Sequence, residues 1–181
     1  MNKNILVFGA SNSHASINKQ FAIYAANELT GVELNIVDLN DYALPLYSVA
    51  LEKQEGIPQN AKAFSQQIKL CEGIIISLAE YNGLHTTAFK NLWDWLSRMG
   101  SPKIWMDKPM LLLSTSPSKR TMSNVLQVSK KLFPFFGANI IADYHLPSFR
   151  HSFAEGKIIE PAYKAKFSVA LDQFQAFLNN N

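Results

Sequence analysis

The segment GIIISLAEYNGLHTTAFKNLWDWLSR, residues 73–98, decides the fold of this chain. It begins with the apolar run Gly73 to Leu78, which is typical of a strand buried on both faces of a parallel sheet. A polar and aromatic loop follows, and an amphipathic helix begins near Thr86. In an open parallel sheet, the loops that leave the carboxyl ends of the strands form the ligand crevice. We therefore expect residues 80–83 to carry function.

Strands and helices alternate on both sides of this segment. Apolar runs predict four further strands, at Asn4–Gly9, Glu33–Leu39, Pro109–Ser114 and Ala138–Ala142. Amphipathic spacing predicts helices near residues 16–29, 57–71, 86–99, 123–133 and 161–178, and a loop at residues 40–48. Five alternations with long connections allow right-handed crossovers. The pattern predicts an α/β protein: one domain over residues 1–181, a three-layer α/β/α sandwich, and a five-stranded parallel sheet of order 2-1-3-4-5.

The composition is that of a globular protein, since 48% of the residues are hydrophobic and 17% are charged. The net charge of +3 comes without a run of basic residues, so we expect no nucleic-acid partner. The apolar run in MNKNILVFGA is too short to span a membrane and has no signal-peptide cleavage region, which predicts a cytoplasmic protein. Cys71, the single cysteine, lies on a helical apolar stripe; we expect it in the core and expect no metal site.

The loop after the first strand, GASNSHASIN at residues 9–18, has the composition of a phosphate site. It lacks both the ending of a Walker A motif and the three glycines of the dinucleotide fingerprint. It offers hydroxyl groups, amides and backbone N–H groups at the start of a helix, which can hold a phosphate dianion. One helix N-cap would explain one such residue, but not five within eight positions. We therefore expect this loop to bind a phosphate group.

The loop at residues 80–83 suits the polar edge of a flat heteroaromatic ring. Gly83 allows a close backbone approach, Asn82 provides an amide donor and acceptor, and Tyr81 can supply a stacking face or a hydroxyl. Structural roles are equally open, because Asn-Gly is a common turn pair and Tyr81 could cover the core. We expect Glu80 to be solvated or to accept a neighbouring N–H rather than to act as a catalytic base.

These residues resemble the NAD(P)H-dependent FMN reductases, whose pattern after the third strand is Pro-Glu-Tyr-Asn-Gly-Ser-x-Pro-Gly-x-x-Lys-Asn-x-x-Asp-Trp. The positions that match it without a gap are Glu80, Tyr81, Asn82, Gly83, Lys90, Asn91, Asp94 and Trp95. The family's Ser-x-Asn at the end of the first loop is matched by Ser16-Ile17-Asn18. The chain departs from the pattern at Ala79, Leu84 and Thr86-Thr87, lacks the frequent first-loop arginine, and has no glycine in the loop Ser114–Ser118.

The resemblance implies a flavodoxin-like fold and bound FMN, with NADPH or NADH as the electron donor. Electrons would pass to a quinone, a free flavin, an azo dye or a metal oxyanion. The chemistry is supplied by the cofactor, so no catalytic acid–base residue is implied. The FMN phosphate would lie on the first loop and its ring against the second, with cofactor contacts at Ser11, Ser13, Ser16, Ile17, Asn18, Ala79, Glu80, Tyr81, Asn82, Gly83, Thr115 and Ser116.

The helix that follows residues 80–83 also predicts the oligomeric state. Its inward stripe is Phe89, Leu92, Trp93, Leu96 and Met99, whereas Ala88 and Trp95 lie off this stripe and Trp105 follows in the next loop. Several large side chains off the stripe indicate a second covered surface, unless the core stripe is simply wide. Together with the resemblance, they predict a homodimer through this helix with the flavin near the seam; a tetramer is left open.

Two other functions share this fold and stay as alternatives. A flavodoxin-like electron carrier would bind FMN without using a nicotinamide, although such carriers are usually acidic. A non-redox nucleotide-binding protein is the second alternative, because a fold does not determine function by itself.

Overall fold

The computed structural model describes residues 2–180, so Met1 and Asn181, the ends of the predicted domain, lie outside the described residues. Five parallel strands form the central sheet: β1 (Lys3–Ala10), β2 (Val32–Ile36), β3 (Gly73–Leu78), β6 (Pro109–Thr115) and β7 (Asn139–Leu146). Their order across the sheet is β2-β1-β3-β6-β7. This confirms the predicted order 2-1-3-4-5. Two short antiparallel hairpins complete the strands: β4 (Glu80–Tyr81) with β5 (Leu84–His85), and β8 (Phe153–Ala154) with β9 (Lys157–Ile158).

Helices cover both faces of the sheet and confirm the three-layer sandwich. They are α1 (Ile17–Asn27), α2 (Val49–Glu55), α3 (Gln59–Leu70), α4 (Thr87–Leu96), α5 (Asn124–Leu132), α6 (Phe149–Ser152) and α7 (Pro161–Asn180). One apolar core lies between the sheet and α3, α4 and α5, and contains Cys71, as predicted. A second core lies between the sheet and α1 and α7. Among the helices within residues 2–180, none is both long and apolar enough to cross a membrane.

Two strands, β2 and β7, end at residues other than the predicted ones. β2 ends at Ile36, because Asp38 caps a 3-10 turn over Leu39–Tyr42. The pKa of Asp38 is lowered: burial acts to raise it, but hydrogen bonds from Lys19 and Asn40 outweigh that effect. β7 continues to Leu146, four residues past the predicted end, since it pairs with β6 along its length.

Helix α1 packs unusually close to the end of β1. A Cβ atom placed on Gly9 would lie 2.5 Å from the backbone nitrogen of Lys19 and 2.7 Å from its Cα atom. Real Cβ atoms do not approach backbone this closely, so this contact requires glycine. The ammonium group of Lys19 forms an ion pair with Asp38 at 2.5 Å, which ties the first turn of α1 to the end of β2.

The sequence predicted a second apolar surface from the positions of Trp95 and Trp105. That argument is wrong, because both side chains are 0% exposed within the single chain. The indole Nε1 of Trp95 donates to the carbonyl oxygen of Pro45 at 2.8 Å, and the Trp95 ring packs edge-on against Tyr47. Trp105 stacks with the core ring Phe89. Segments of the same chain therefore cover the face of α4 that the sequence pattern had assigned to a partner.

His85 lies against the aromatic side chains of this core. Its ring centroid is 5.5 Å from those of Phe89 and Trp93, and it stacks on Phe133 at 6.1 Å. Its Nε2 atom lies 2.7 Å from the hydroxyl of the buried Ser129. Burial lowers the pKa of His85 to about 4, with a smaller effect from the charge of Lys90. The ring is therefore neutral at neutral pH.

Substitution of Gly9 tests the close contact between β1 and α1. We expect Gly9→Ala to lower the free energy of unfolding by about 1–3 kcal/mol, because the added methyl group forces the two backbones apart. Urea unfolding followed by circular dichroism measures this loss. Ser13→Ala, at an exposed position of the same loop, is the control and should change the value by less than about 0.5 kcal/mol. An unchanged midpoint for Gly9→Ala would contradict the contact.

Histidine titration gives a pH dependence of stability. His85 has a pKa of 6.5 when unperturbed and about 4 in the folded chain, so between these values the unfolded state binds more protons. The free energy of unfolding should therefore decrease as the pH falls from 6.5 to 4. His85→Gln should give a shallower slope across this window, but not a flat one, since burial also lowers the pKa of His145. Parallel curves for the two proteins in urea titrations at several pH values would contradict the assignment.

Candidate functional site

Three loops meet at the carboxyl edge of the sheet and enclose a cavity of about 180 Å³. They follow β1, β3 and β6, the three central strands. The cavity is lined by Ala15 and Pro117 and by ten of the residues predicted to contact the cofactor: Ser11, Ser13, Ser16, Ile17, Asn18, Ala79, Glu80, Tyr81, Thr115 and Ser116. Residues more than 100 positions apart in the chain are thus brought into one site.

The first loop presents hydroxyl groups at the start of α1. The Ser16 hydroxyl oxygen accepts the backbone N–H of Lys19 and so caps the helix, while the Ser11 hydroxyl oxygen accepts the N–H of Ser13. Each hydroxyl keeps its hydrogen as a donor toward the cavity. The first turn of α1 adds the N–H groups of Ile17 and Asn18, which have no acceptor inside the helix.

The side chain of Asn18 has a second role, which sequence analysis did not predict. It is 3% exposed, and its Oδ1 atom accepts both the hydroxyl of Ser77 at 2.8 Å and the N–H of Thr115 at 3.0 Å. Its Nδ2 atom donates to the carbonyl oxygen of Thr115 at 3.2 Å. The Asn18 side chain therefore joins α1 to the ends of β3 and β6 and holds two of the three loops together.

Glu80 fixes the third side of the cavity. Its Oε2 atom accepts the hydroxyl of Ser123 at 3.0 Å and the N–H of Val125 at 3.1 Å. The carboxylate thus lies at the N-terminal end of α5, where the helix dipole favours negative charge. This confirms the expectation that Glu80 accepts a neighbouring N–H.

Asn82 and Gly83 form the two-residue turn of the hairpin between β4 and β5, and Tyr81 is the last residue of β4. Asn82 and Gly83 both have positive φ angles, 52° and 83°, as such a turn requires. A Cβ atom on Gly83 would meet only an ordinary contact at 3.5 Å, so glycine is favoured here by the backbone conformation and not by crowding. The Tyr81 side chain is 52% exposed at the rim of the cavity and does not cover the core. Direct contacts of Asn82 and Gly83 with a ring stay a prediction.

The loop after β6 is held by residues that the sequence did not single out. His145 Nδ1 lies 2.8 Å from the Ser114 hydroxyl, and His145 Nε2 donates to the carbonyl oxygen of Arg120 at 3.1 Å. The N–H of Phe149 donates to the carbonyl oxygen of Ser116 at 2.9 Å. His145 lies beyond the predicted end of the fifth strand, so no pattern in the sequence pointed to it.

The chemistry of the cavity fits a phosphate ester bound by neutral donors. The described residues that line it include no Lys, Arg or His. Glu80 has its Oε2 atom occupied by Ser123 and Val125, as described above. Hydroxyls, backbone N–H groups and the α1 dipole can hold a dianion in such a setting. We find no group of His, Cys, Asp or Glu within residues 2–180 that could hold a metal ion.

Comparisons with known proteins identify the family of the chain. A family model described as NADPH-dependent FMN reductase matches residues 3–150. The chain is 35% identical over 101 residues to a 2-hydroxy-1,4-benzoquinone reductase from a Burkholderia species, covering 56% of this chain and 54% of the relative. It is 27% identical over 154 residues to a probable NADPH:quinone oxidoreductase 2 of Oryza sativa subsp. japonica, covering 82% and 73%. The chain thus spans about half the length of the Burkholderia relative.

Solved structures share the fold at low sequence identity. The flavoenzyme NAD(P)H:(acceptor) oxidoreductase FerB from Paracoccus denitrificans superposes with a TM-score of 0.80 at 19% identity, over 98% of both chains. An azoreductase from Bacillus anthracis str. Sterne gives a TM-score of 0.64 at 13% identity, over 100% of both chains.

The family model covers all five strands of the central sheet and all three loops of the cavity. Its description agrees with the oxidoreductase class, the FMN cofactor and the NAD(P)H electron donor that the resemblance implied. The chain belongs to the NADPH-dependent FMN reductase family.

Proposed function

We propose that this chain passes electrons from NADPH or NADH through bound FMN to a quinone. The observation that supports this most directly is the convergence of the loops after β1, β3 and β6 on one cavity, which hydroxyl groups and the N-terminal end of α1 line. Relatives named as quinone reductases favour a quinone over a free flavin, an azo dye or a metal oxyanion.

The first loop would bind the phosphate of FMN. Ser11, Ser13 and Ser16 would donate their hydroxyl hydrogens, and the N–H groups of Ile17 and Asn18 would add to them. The side chain of Asn18 acts mainly by holding this loop against Thr115, since its amide is already hydrogen-bonded there.

The second and third loops would border the flavin ring. Ala79 and Ser116 line the cavity wall, and the exposed ring of Tyr81 offers a stacking face at its rim. The redox chemistry, acceptance of a hydride and delivery of two electrons, is supplied by the bound FMN. The protein would orient the flavin and provide a cavity wall and backbone dipoles beside it.

Three further properties belong to the proposal. We propose that the chain forms a single domain in the cytoplasm, without a nucleic-acid partner, in line with its net charge of +3 and lack of basic runs.

We also propose that the chain forms a homodimer. The support is a groove on the surface and not the position of Trp95, which is buried. A groove of about 420 Å³ between α4 and α5 has an apolar wall formed by Leu84, Trp93, Val128, Leu132 and Phe136, and its other lining residues are His85, Lys90, Asp94 and Ser97. An apolar groove with exposed leucines at its edges is typical of a covered surface. Leu84 pairs with Tyr81 across the hairpin, and Tyr81 lines the cavity proposed to bind FMN. A second copy bound in the groove would therefore lie beside this cavity.

A spectrum and an assay test the function. The protein loaded with FMN should be yellow and should oxidise NADPH or NADH when a quinone is added. A flavodoxin-like carrier would be yellow but would leave the nicotinamide unoxidised, and a non-redox nucleotide binder would be colourless with no change in melting temperature on addition of FMN.

The phosphate contact is tested at Ser16, where capping and binding can be separated. Ser16→Gly removes the hydroxyl but costs the helix only a few tenths of a kcal/mol as a cap, whereas Ser16→Thr keeps the hydroxyl. We expect the Kd for FMN, measured by fluorescence quenching, to rise about tenfold for Ser16→Gly, the loss of one hydrogen bond to a charged group. Ser16→Thr should stay near the wild type. Equal affinity of all three proteins would refute a phosphate at this position.

Substitution of two exposed leucines tests the dimer. Each leucine is the last residue of a helix. Leu132 lines the groove and is 40% exposed, whereas Leu70 lies outside it and is 59% exposed. Leu132→Glu should reduce the mass measured by size-exclusion chromatography with light scattering to that of one chain, because a charge is buried in the interface. Leu70→Glu should leave the mass of the wild type unchanged. A wild type that elutes as one chain would overturn the proposal, and four copies would indicate further pairing.

A further inference from the structure

The loop that follows β6 has little structure of its own. It covers residues 116–122, between the end of β6 and the N-cap of α5 at Ser123, and is here called the β6 loop. It contains no glycine and forms neither a helix nor a strand. Two of its residues, Ser116 and Pro117, line the cavity proposed to bind FMN. The conformation of the loop at this cavity therefore depends on the groups that hold it from the other side.

Two backbone N–H groups after β7 hold the first part of the β6 loop. The N–H of Ser148 donates to the carbonyl oxygen of Ser118 at 2.7 Å, and the N–H of Phe149 donates to the carbonyl oxygen of Ser116 at 2.9 Å. Ser148 has a φ angle of 53°, a left-handed conformation that is uncommon outside glycine. The first part of the β6 loop thus rests on the segment that follows β7.

The side chain of His145 on β7 holds the β6 loop near both of its ends. His145 lies opposite Ser114 in the register of β6 and β7, and its Nδ1 atom is 2.8 Å from the Ser114 hydroxyl. Its Nε2 atom is 3.1 Å from the carbonyl oxygen of Arg120. Because a carbonyl oxygen can only accept, Nε2 carries the hydrogen, and Nδ1 of the neutral ring accepts the hydrogen of the Ser114 hydroxyl. One neutral imidazole therefore joins the strand before the loop to the far part of the loop.

The surroundings of His145 favour this neutral ring. Burial lowers the pKa of His145, and the charge of Arg120 acts in the same direction. The hydrogen bonds with Arg120 and Ser114 and the charge of Glu80 on β4 act to raise the pKa, but the net effect is a lowered pKa. The ring is therefore neutral at neutral pH.

The charged groups on the other side of the ring have partners of their own. His145 lines a cavity of about 260 Å³ between α5 and α7, whose other titratable lining groups are Asp143 and Tyr144 on β7 and Tyr163 and Lys166 on α7. Asp143 is paired with Lys130 of α5 at 2.6 Å. The Tyr144 hydroxyl donates to the carbonyl oxygen of Tyr163 at 3.0 Å. Both groups of β7 are thus engaged away from the imidazole.

We propose that His145 is a positioning residue for bound FMN, which as a neutral ring joins Ser114 to Arg120 and so sets the conformation in which the β6 loop borders the flavin. His145 is not among the residues that line the FMN cavity, so it acts through the loop and not by touching the cofactor. The inference rests on the proposed function and adds to it a hold on the cofactor that depends on one proton.

Protonation of this ring would loosen the loop. A proton on Nδ1 turns this atom from an acceptor into a donor, so the Ser114 hydroxyl loses the acceptor of its hydrogen. Ser114 is 1% exposed, and an unpaired hydroxyl is unfavourable in such a buried position. FMN would bind the loop in its ordered conformation, which requires the neutral ring. The affinity for FMN should therefore decrease as the pH falls below 6.5, the ordinary pKa of histidine.

The first test measures the loop in the full chain without FMN. His145→Phe keeps an aromatic ring but removes both hydrogen bonds. Hydrogen–deuterium exchange at pH 7.5, followed by mass spectrometry, should be about tenfold faster for this variant in peptides that cover residues 116–122. His151→Phe, at an exposed position of α6, is the matched control and should exchange as the wild type does. Equal exchange of all three proteins would overturn the inference.

The second test is a pH profile of FMN affinity, which a merely structural role would not change. The Kd for FMN is measured by fluorescence quenching between about pH 5 and pH 8 for the same three proteins. The phosphate of FMN titrates near pH 6 in all of them, so the ratio of two Kd values isolates the imidazole. At pH 8 the Kd of His145→Phe should be about tenfold that of the wild type, the effect of about one hydrogen bond. Below pH 6.5 this ratio should decrease, because acid removes from the wild type what the variant already lacks.

The outcomes separate this inference from the proposed function. A Kd ratio near one at pH 8, or a ratio that stays constant at every pH, would overturn the inference and leave the function standing. A wild type that binds FMN but does not oxidise NADPH or NADH would refute the function alone, and one that binds no FMN would refute both. Ser114→Ala keeps the imidazole and removes one of its partners, so it should give a smaller rise in Kd with the same pH trend. This variant decides the question if His145→Phe does not fold.

Discussion

The site depends on one buried amide. The side chain of Asn18 makes three hydrogen bonds, to Ser77 and to both backbone groups of Thr115, and Thr115 is 97 residues away in sequence. Leaving any of these groups unpaired in the core would cost about 1–3 kcal/mol each, so the loops after β1 and β6 are held in one arrangement. Gly9 makes this possible, because only glycine lets α1 approach β1 closely enough for Asn18 to reach β6.

The charges around the site are organised so that binding relies on dipoles. Lys19, the cation next to the first loop, is paired with Asp38, and the Glu80 carboxylate is held by the N-terminal end of α5. The cavity is thus left to hydroxyls and N–H groups. Such donors do not change their charge with pH, whereas a lysine or arginine would bring a mobile charge into the cavity.

Helix α4 is covered on two sides by the same chain. Phe89 and Trp93 belong to the apolar core against the sheet, while Asn91 and Trp95 form hydrogen bonds with the backbone of Tyr47 and Pro45. The sequence showed large side chains on both sides of this helix but could not show what covers the second side. The answer comes from Pro45 and Tyr47, some 50 residues earlier, through contacts that have no periodic signal in the sequence.

The sequence by itself determined the strand order and the loops of the site, since buried strands give continuous apolar runs and helices give a stripe of period 3.6. Together with the family resemblance it also named ten residues that line the cavity, and they come together because loops at the carboxyl ends of adjacent parallel strands meet at one edge of the sheet. Only the tertiary structure decided which polar side chains bind outward and which are used internally. Asn18, Trp95 and His145 each donate a hydrogen bond to a backbone carbonyl oxygen that is distant in the sequence. Such hydrogen bonds depend on how remote segments pack together, so a local sequence pattern does not predict them.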